Sequence, residues 1–222
     1  MSGRLLVIEG SDASGKTTQL DMLCRRLERE GTSFRQIVFP RYENDSSMLA
    51  RMYLNGEFGS DPSDVNAYTA SVFFAADRYA SYKTDWGSYF EGGGLIICHR
   101  YTTANAIHQA SKLEEGEREA FLDWLFDFEY SKMGIPRPSE VIFLDMPPPV
   151  ARELMAERNR GKTADIHESD TAYLEKCYEL SRLCAKKYGW ITISCASEGR
   201  TLPREEIHER IYKIITNEVN HA

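Results

Sequence analysis

No stretch of this 222-residue sequence approaches the roughly 18 consecutive apolar residues of a bilayer-spanning helix, and the run Leu5–Ile8 near its start is too short for a secretory signal. The chain is expected in the cytoplasm, with no membrane among its partners. Basic charge is in deficit: 27 Lys and Arg against 34 Asp and Glu leave a net charge of −7, which argues against a surface that holds a nucleic acid polymer by its phosphates. A local basic pocket for a small anion is compatible with that balance. Cysteine is scarce and badly spaced for metal or disulfide work. Cys24, Cys98, Cys177, Cys184 and Cys195 form no CxxC pair and lie mostly in apolar periodic segments, as buried free thiols do. His99, His108 and His167 likewise lack the spacing of zinc ligands. Repeats, low-complexity tracts and flexible linkers are absent, so one domain over 1–222 is expected. What is abundant is core-forming material: 42% hydrophobic residues, with twelve Tyr, ten Phe and three Trp, describe a globular chain and exclude a disordered one.

The apolar pattern alternates between short strands and amphipathic helices. Strands are expected at Arg4–Glu9, Phe34–Phe39, Leu95–Cys98, Val141–Leu144 and Trp190–Ser194. Helices are expected at Lys16–Glu30, Ser46–Leu54, Val65–Trp86, Glu117–Lys132, Pro149–Glu157, Asp170–Lys187 and Pro203–Val219, with Gly31 stopping the first and Pro40 closing the second strand. Strands separated by helices imply a mainly parallel sheet covered on both faces. The polar segment Arg158–Glu168 reads as a surface excursion.

The turn after the first strand carries the chemistry. Gly10-Ser11-Asp12-Ala13-Ser14-Gly15-Lys16-Thr17 satisfies GxxxxGK[ST] at every fixed position, with an apolar strand before it and an amphipathic helix behind it. Glycines let the backbone wrap an anion, and successive N–H groups with the positive end of the helix point at it. Lys16 then reaches the β and γ phosphates of ATP and the Thr17 hydroxyl ligates Mg²⁺, with Ser11, Ala13, Ser14, Gly15 and Thr18 completing the nucleotide cradle. The Lys16 charge is expected to be exposed while the loop holds no phosphate. A dinucleotide-type GxGxxG is a worse fit, since the glycine spacing is wrong. A GTPase would also need DxxG and NKxD-like motifs, which are missing in suitable places.

Arginines and aromatics follow the other strands instead. His99-Arg100-Tyr101 comes directly after the third strand, at the carboxyl edge where open parallel sheets bind ligands. Arg41 ends the second strand in the same way; a plain surface arginine is the alternative reading for both. Phe74 and Arg78 stand one helical turn apart, a ring and a guanidinium on one face that suit a base, although Phe74 reads equally as core. Arg158, Arg160 and Lys162 around Gly161 suggest a basic flap that closes over a phosphoryl group, against the alternative of a solvated loop.

The segments VIEGSDASGKTTQ, FPRY, FFAADR, CHRY, NAIHQ, VIFLD and ERNRGKTADIHE, in this order and spacing, resemble the thymidylate kinase family over nearly the whole chain. The resemblance implies an α/β P-loop nucleotide kinase fold: a five-stranded, mainly parallel sheet, helices on both faces, and a short lid at about 158–168. It implies ATP and Mg²⁺, a small-molecule deoxynucleotide acceptor, dTMP first, and a homodimer. It further implies that Asp12 touches the sugar 3′-hydroxyl, that Arg41 and Arg100 hold the acceptor phosphate, that Phe74 stacks on the base, and that Arg78 hydrogen-bonds to it. His99, Asn105 and Gln109 fall in the same acceptor region, and Lys16, Arg100, Arg158 and Arg160 are the implied catalytic set.

The chain departs from the family pattern in three places. His99 stands where an Asp usually precedes the RY pair, Pro40-Arg41-Tyr42-Glu43 replaces the usual segment after the second strand, and the lid lacks one arginine. Ala13 occupies a P-loop position that holds arginine in part of the family, which leaves the lid arginines to supply transition-state charge. A His99 that changes charge within about pH 5 to 9, with the protonated form favoured near the phosphates and adding positive charge there, is the expectation drawn from a histidine at this place. Two other functions stay open on the residues alone: a deoxynucleoside kinase with Glu9 as base, and a nucleotide-binding protein without catalysis.

Overall fold

The structure, a computed structural model, describes residues 3–158 and 171–219. In chain order the main elements are β1 (Arg4–Gly10), α1 (Lys16–Arg29), β2 (Phe34–Val38), α2 (Met48–Leu54), α3 (Ala67–Ser81), α4 (Gly87–Glu91), β3 (Leu95–His99) and α5 (Thr102–His108). They continue with α6 (Glu115–Phe126), β4 (Glu140–Asp145), α7 (Pro148–Arg158), α8 (Thr171–Lys187), β5 (Ile191–Ser194), the short strands β6 (Ala196–Ser197) and β7 (Arg200–Thr201), and α9 (Arg204–Val219).

The five longer strands form one sheet in the order β2-β3-β1-β4-β5, and every pairing in it is parallel. Side chains alternate across a strand, so β1 feeds two cores at once. Leu5 and Val7 join Ile96, Cys98, Phe143 and the buried faces of α5, α6 and α8 on one side. Leu6 and Ile8 join Ile97, Ile142, Leu144 and the faces of α1, α7 and α9 on the other. Each fully buried Leu or Ile contributes on the order of 1.5–3 kcal/mol relative to exposure, which is why the central strand tolerates almost no polar residue.

Local chemistry sets several boundaries. The Asn66 side chain accepts from the Thr69 N–H at 2.9 Å and caps α3. Gly31, at φ 72°, takes the left-handed turn that ends α1. Two expected helices change winding. The segment expected as one helix over Glu117–Lys132 is α6 followed by a π-helical stretch, Asp127–Lys132, and Val65–Trp86 becomes α3 followed by a π-helical Tyr82–Trp86. The π stretches bury Glu129 and Trp86 completely, at 0% exposure. The helix α5 and the β6–β7 hairpin carry no strong periodic signal and were not expected. All five cysteines are free and buried. Among the described residues no helix is long and apolar enough to cross a membrane.

Candidate active site

The carboxyl ends of β1 and β3 stand side by side, with Ile8 opposite His99 in the parallel register. The Arg100 N–H extends that pairing by donating to the Ile8 carbonyl at 3.3 Å, and the chain then turns through a left-handed conformation at Arg100, φ 62°. A non-glycine residue with positive φ is uncommon and marks a point where surrounding contacts dictate the backbone.

Behind β1 the loop closes tightly. A Cβ on Gly10 would lie 2.6 Å from Ser14 Oγ and 2.9 Å from the Leu144 carbonyl oxygen, so the close approach admits glycine alone. Ser14 N–H donates to the Ser11 carbonyl at 3.1 Å, and Gly15 at φ 89° caps α1. Lys16 corrects the expectation of an exposed charge: it is only 5% exposed. Its ammonium donates to the Gly10 and Ser11 carbonyls at 2.9 and 2.7 Å and lies 3.8 Å from the Asp12 carboxylate. Ser11 Oγ and Ser14 Oγ are buried without a hydrogen-bond partner. A concave loop with an ammonium, unmatched hydroxyls and a helix N-terminus fits a polyphosphate.

A cavity of about 480 Å³ opens over this loop, lined by residues 12–19, His99 and Arg100, and on its far side by Met146, Leu154, Glu157, Thr201, Arg204 and Ile207. A second cavity, about 180 Å³, lies across Arg100. Phe39, Pro40, Tyr42, Phe74, Arg78, Asn105, His108 and Gln109 are among its lining residues, and it shares Asp12 and Arg100 with the first. The two are linked at those side chains: Arg100 Nη2 donates to the Asp12 carboxylate, and Arg100 Nη1 meets His108 Nε2 at 2.6 Å.

Arg78, which lines the second cavity, belongs to a buried ion pair. Arg78 donates through Nε and Nη2 to the Glu129 carboxylate, both at 2.6 Å, and the residues are 2% and 0% exposed. Thr102 Oγ1 and Asn105 Nδ2 donate to the same carboxylate at 2.8 and 3.5 Å. Burial works against the Arg78 charge, but the Glu129 carboxylate outweighs it and raises the guanidinium pKa above its ordinary value. The bidentate pair fixes the Arg78 plane, and Nη1 makes neither of these two bonds. Phe74 packs edge-on against Tyr53, ring centroids 6.1 Å apart. Asn105 also donates to the Ser71 carbonyl at 3.2 Å, while Gln109 keeps a buried, unpartnered Oε1.

Other expected residues stand elsewhere. Arg41 is not among the residues lining either cavity: its N–H donates to Asp77 at 2.8 Å and its guanidinium pairs with Asp85 at 3.4 Å, while Tyr42 supplies the lining at this point. His99 does line the P-loop cavity, where the surroundings supplied by the protein alone run against the protonated ring expected beside phosphates. Burial, with the Lys16 and Arg100 charges adding to it and Asp12 opposing, pushes the imidazole down to about 3, so it is neutral near neutral pH; its Nδ1 is buried and unpartnered. Glu9 is fully buried, accepts from the Gly10 N–H at 3.1 Å and the Thr103 hydroxyl at 2.8 Å, and lines neither cavity. Arg160, Lys162 and the lid as a whole lie outside the described residues, as does the side chain of Arg158.

Sequence reasoning missed Glu129, His108, Tyr42 and Arg204. The spacing of Ala104, Asn105 and His108 on one face of a short helix was the available signal for His108. Glu129 had none, because its partner is 51 residues away. Among the described residues no group of three or more His, Cys, Asp or Glu could hold a metal ion by itself. A Mg²⁺ that keeps most of its ligands from water and nucleotide phosphates needs only one or two from the protein, and the exposed Thr17 on the P-loop cavity suits that arrangement.

A five-stranded parallel sheet with a phosphate loop after its first strand, and a second pocket sharing an Asp–Arg pair with that loop, defines a P-loop kinase of the nucleoside monophosphate kinase type. The fold is similar to that of a thymidylate kinase from Candida albicans, with a TM-score of 0.74 at 20% identity over 100% of this chain and 94% of that one. In sequence the chain is 29% identical to the thymidylate kinase of Mycobacterium tuberculosis (strain CDC 1551 / Oshkosh) over 88% of its own length and 86% of the relative's. It is 26% identical to a probable thymidylate kinase of Pyrococcus abyssi over 99% and 98%. The family model described as thymidylate kinase matches residues 8–211, and the chain belongs to that family.

Proposed function

We propose that the protein transfers the γ-phosphoryl group of ATP to a deoxynucleoside monophosphate, with dTMP as the first candidate acceptor. The observation that carries this reading is the sharing of Asp12 and Arg100 between the P-loop cavity and the smaller cavity beside it. Phosphoryl transfer needs donor and acceptor phosphates brought together in line and their charge compensated. An oxygen of the acceptor phosphate would attack the γ phosphorus while the bond to the β–γ bridging oxygen breaks and ADP leaves. Lys16 would trade its loop carbonyls for phosphate oxygens, and Arg100 would hold the acceptor phosphate at the join of the two cavities. Phe74 and the fixed Arg78 would receive the base, with Asn105 and Gln109 beside them. Mg²⁺, held by Thr17 and the phosphates, would neutralise charge on the migrating group. The lid arginines Arg158 and Arg160 remain the proposed source of further transition-state charge.

The nucleoside kinase reading is weakened by Glu9, whose carboxylate is engaged by Thr103 and the Gly10 N–H. A coupled assay with ATP and Mg²⁺ against all deoxy- and ribonucleosides and their monophosphates tests the proposal. Turnover of dTMP with none of thymidine is expected; the reverse would overturn it, and no turnover of any acceptor would favour a noncatalytic binder.

We also propose a homodimer. Tyr68, Val72 and Tyr79 on α3 are 40%, 42% and 39% exposed and fall along one helix face, a stripe that a second copy of the chain would cover. Val72→Glu should then shift the mass measured by light scattering from two chains to one. Buried free thiols and a dependence on ATP suit the cytoplasm.

A further inference from the structure

Arg100 is fixed at two corners by acceptors of different kinds. Nη2 meets a carboxylate, Asp12, and Nη1 meets an imidazole, His108 Nε2 at 2.6 Å. A guanidinium only donates, so Nε2 must accept and the ring proton belongs on Nδ1. Nδ1 lies 3.5 Å from both Tyr173 Oη and Cys177 Sγ on α8. Behind the ring, the Tyr173 and Ser111 hydroxyls donate to the His108 carbonyl at 2.8 and 2.9 Å. The residue is 7% exposed, so its ring has little freedom to leave this arrangement.

The choice of a neutral acceptor has an electrostatic consequence. A second carboxylate in this place would orient Arg100 equally well, but it would compensate the positive charge that an incoming phosphate needs. A neutral imidazole orients the guanidinium without placing a further negative charge beside it. Orientation matters because Arg100 begins in a left-handed backbone turn, and its long side chain would otherwise sample many rotamers before meeting a ligand.

We propose that His108 is a positioning residue for the acceptor phosphate: it holds the Arg100 guanidinium at the join of the two cavities without neutralising it. The inference rests on the reading of the smaller cavity as a monophosphate site. It assigns His108 an effect on phosphate recognition that acts through Arg100, separate from any effect on the base or on ATP.

The test compares the affinities of dTMP and thymidine, measured by calorimetry, for the wild-type chain and for His108→Phe, His108→Gln, Arg100→Ala and the Arg100→Ala/His108→Phe double variant. His108→Phe removes the acceptor and keeps a ring; it should weaken dTMP binding by about tenfold or more while changing thymidine binding less than about twofold. Gln places an amide oxygen near the position of Nε2, and His108→Gln should recover most of the lost affinity. In the Arg100→Ala background His108→Phe should cost nothing further, since its target is already gone. Equal losses for dTMP and thymidine would reduce His108 to a packing role, and an unchanged dTMP preference would show that it has no hold on Arg100; either result overturns the proposal. If His108→Phe does not fold, His108→Met carries the same expectation. A wild-type chain that binds thymidine as well as dTMP would overturn the monophosphate reading itself, an outcome visible before any variant is made.

Discussion

The P-loop cavity takes half of its lining residues from one continuous stretch, residues 12–19, whereas the cavity beside it gathers lining from the ends of β2 and β3 and from α2, α3 and α5. The first is a local object. Its glycines, its lysine and the helix that follows are neighbours in the chain, so the motif and its geometry are nearly the same statement. The second exists only after packing, and its most constrained member, Glu129, contributes no lining and is seen solely through what it holds. A local site fails when one of its own residues is changed; an assembled site fails equally when a support outside it is removed.

The largest expected effect lies on the local side. Lys16→Ala should lower kcat by on the order of a thousandfold or more, since its ammonium sits inside the loop that would cradle the phosphates. Its two backbone bonds in the loop add a stability cost of about 1–3 kcal/mol that urea denaturation would read. A variant retaining a tenth of the rate would break the assignment of the loop as the donor site.

On the assembled side, Glu129→Ala leaves the buried Arg78 charge unpaired and should cost about 3–5 kcal/mol of stability. Glu129→Gln, which keeps the shape, should cost less yet still loosen Arg78 and weaken base recognition. Equal stability of all three proteins in urea would mean that this ion pair does not set the wall of the cavity. Smaller again is Arg100→Ala, for which the KM of the monophosphate should rise by about 30- to 100-fold with ATP binding changed far less. An equal rise for ATP and acceptor would move Arg100 from the join of the two cavities into the donor site alone.

His99 offers a pH test of the join itself. Its folded-state pKa of about 3 lies below the ordinary 6.5, so between these values the unfolded chain binds a proton that the folded chain refuses. Stability should therefore be constant above about pH 6.5 as far as His99 is concerned, and fall as the pH drops from there toward about 3. His99→Asn should remove part of that acid loss; denaturation midpoints at pH 8 and pH 5 for both proteins measure it, and parallel midpoints would show a ring that protonates freely. Arg41→Ala is the smallest effect expected. Its guanidinium pairs with the half-exposed Asp85, so acceptor KM should move by no more than about twofold. A tenfold rise would bring Arg41 into the acceptor site after all.

The strand–loop–helix unit from Arg4 to Arg29 was legible from sequence because its signals are short-range: an apolar run, a glycine spacing, a helical stripe. The alternation of strands and helices, and hence a parallel sheet covered on both faces, was legible for the same reason. The burial of Lys16 was not, because two carbonyls of its own loop take the ammonium in. Nor was the turning of Arg41 toward Asp85 instead of the cavity, or the neutral state of His99, which depends on its burial and then on the Lys16 and Arg100 charges that folding brings near it. The π-helical winding that carries Glu129 inward to Arg78, and the short α5 that sets His108 against Arg100, were decided by tertiary packing alone. Periodicity reports which face of an element is apolar; it says nothing about which buried charge will find its counter-charge, since that energy depends on distances between residues far apart in the chain.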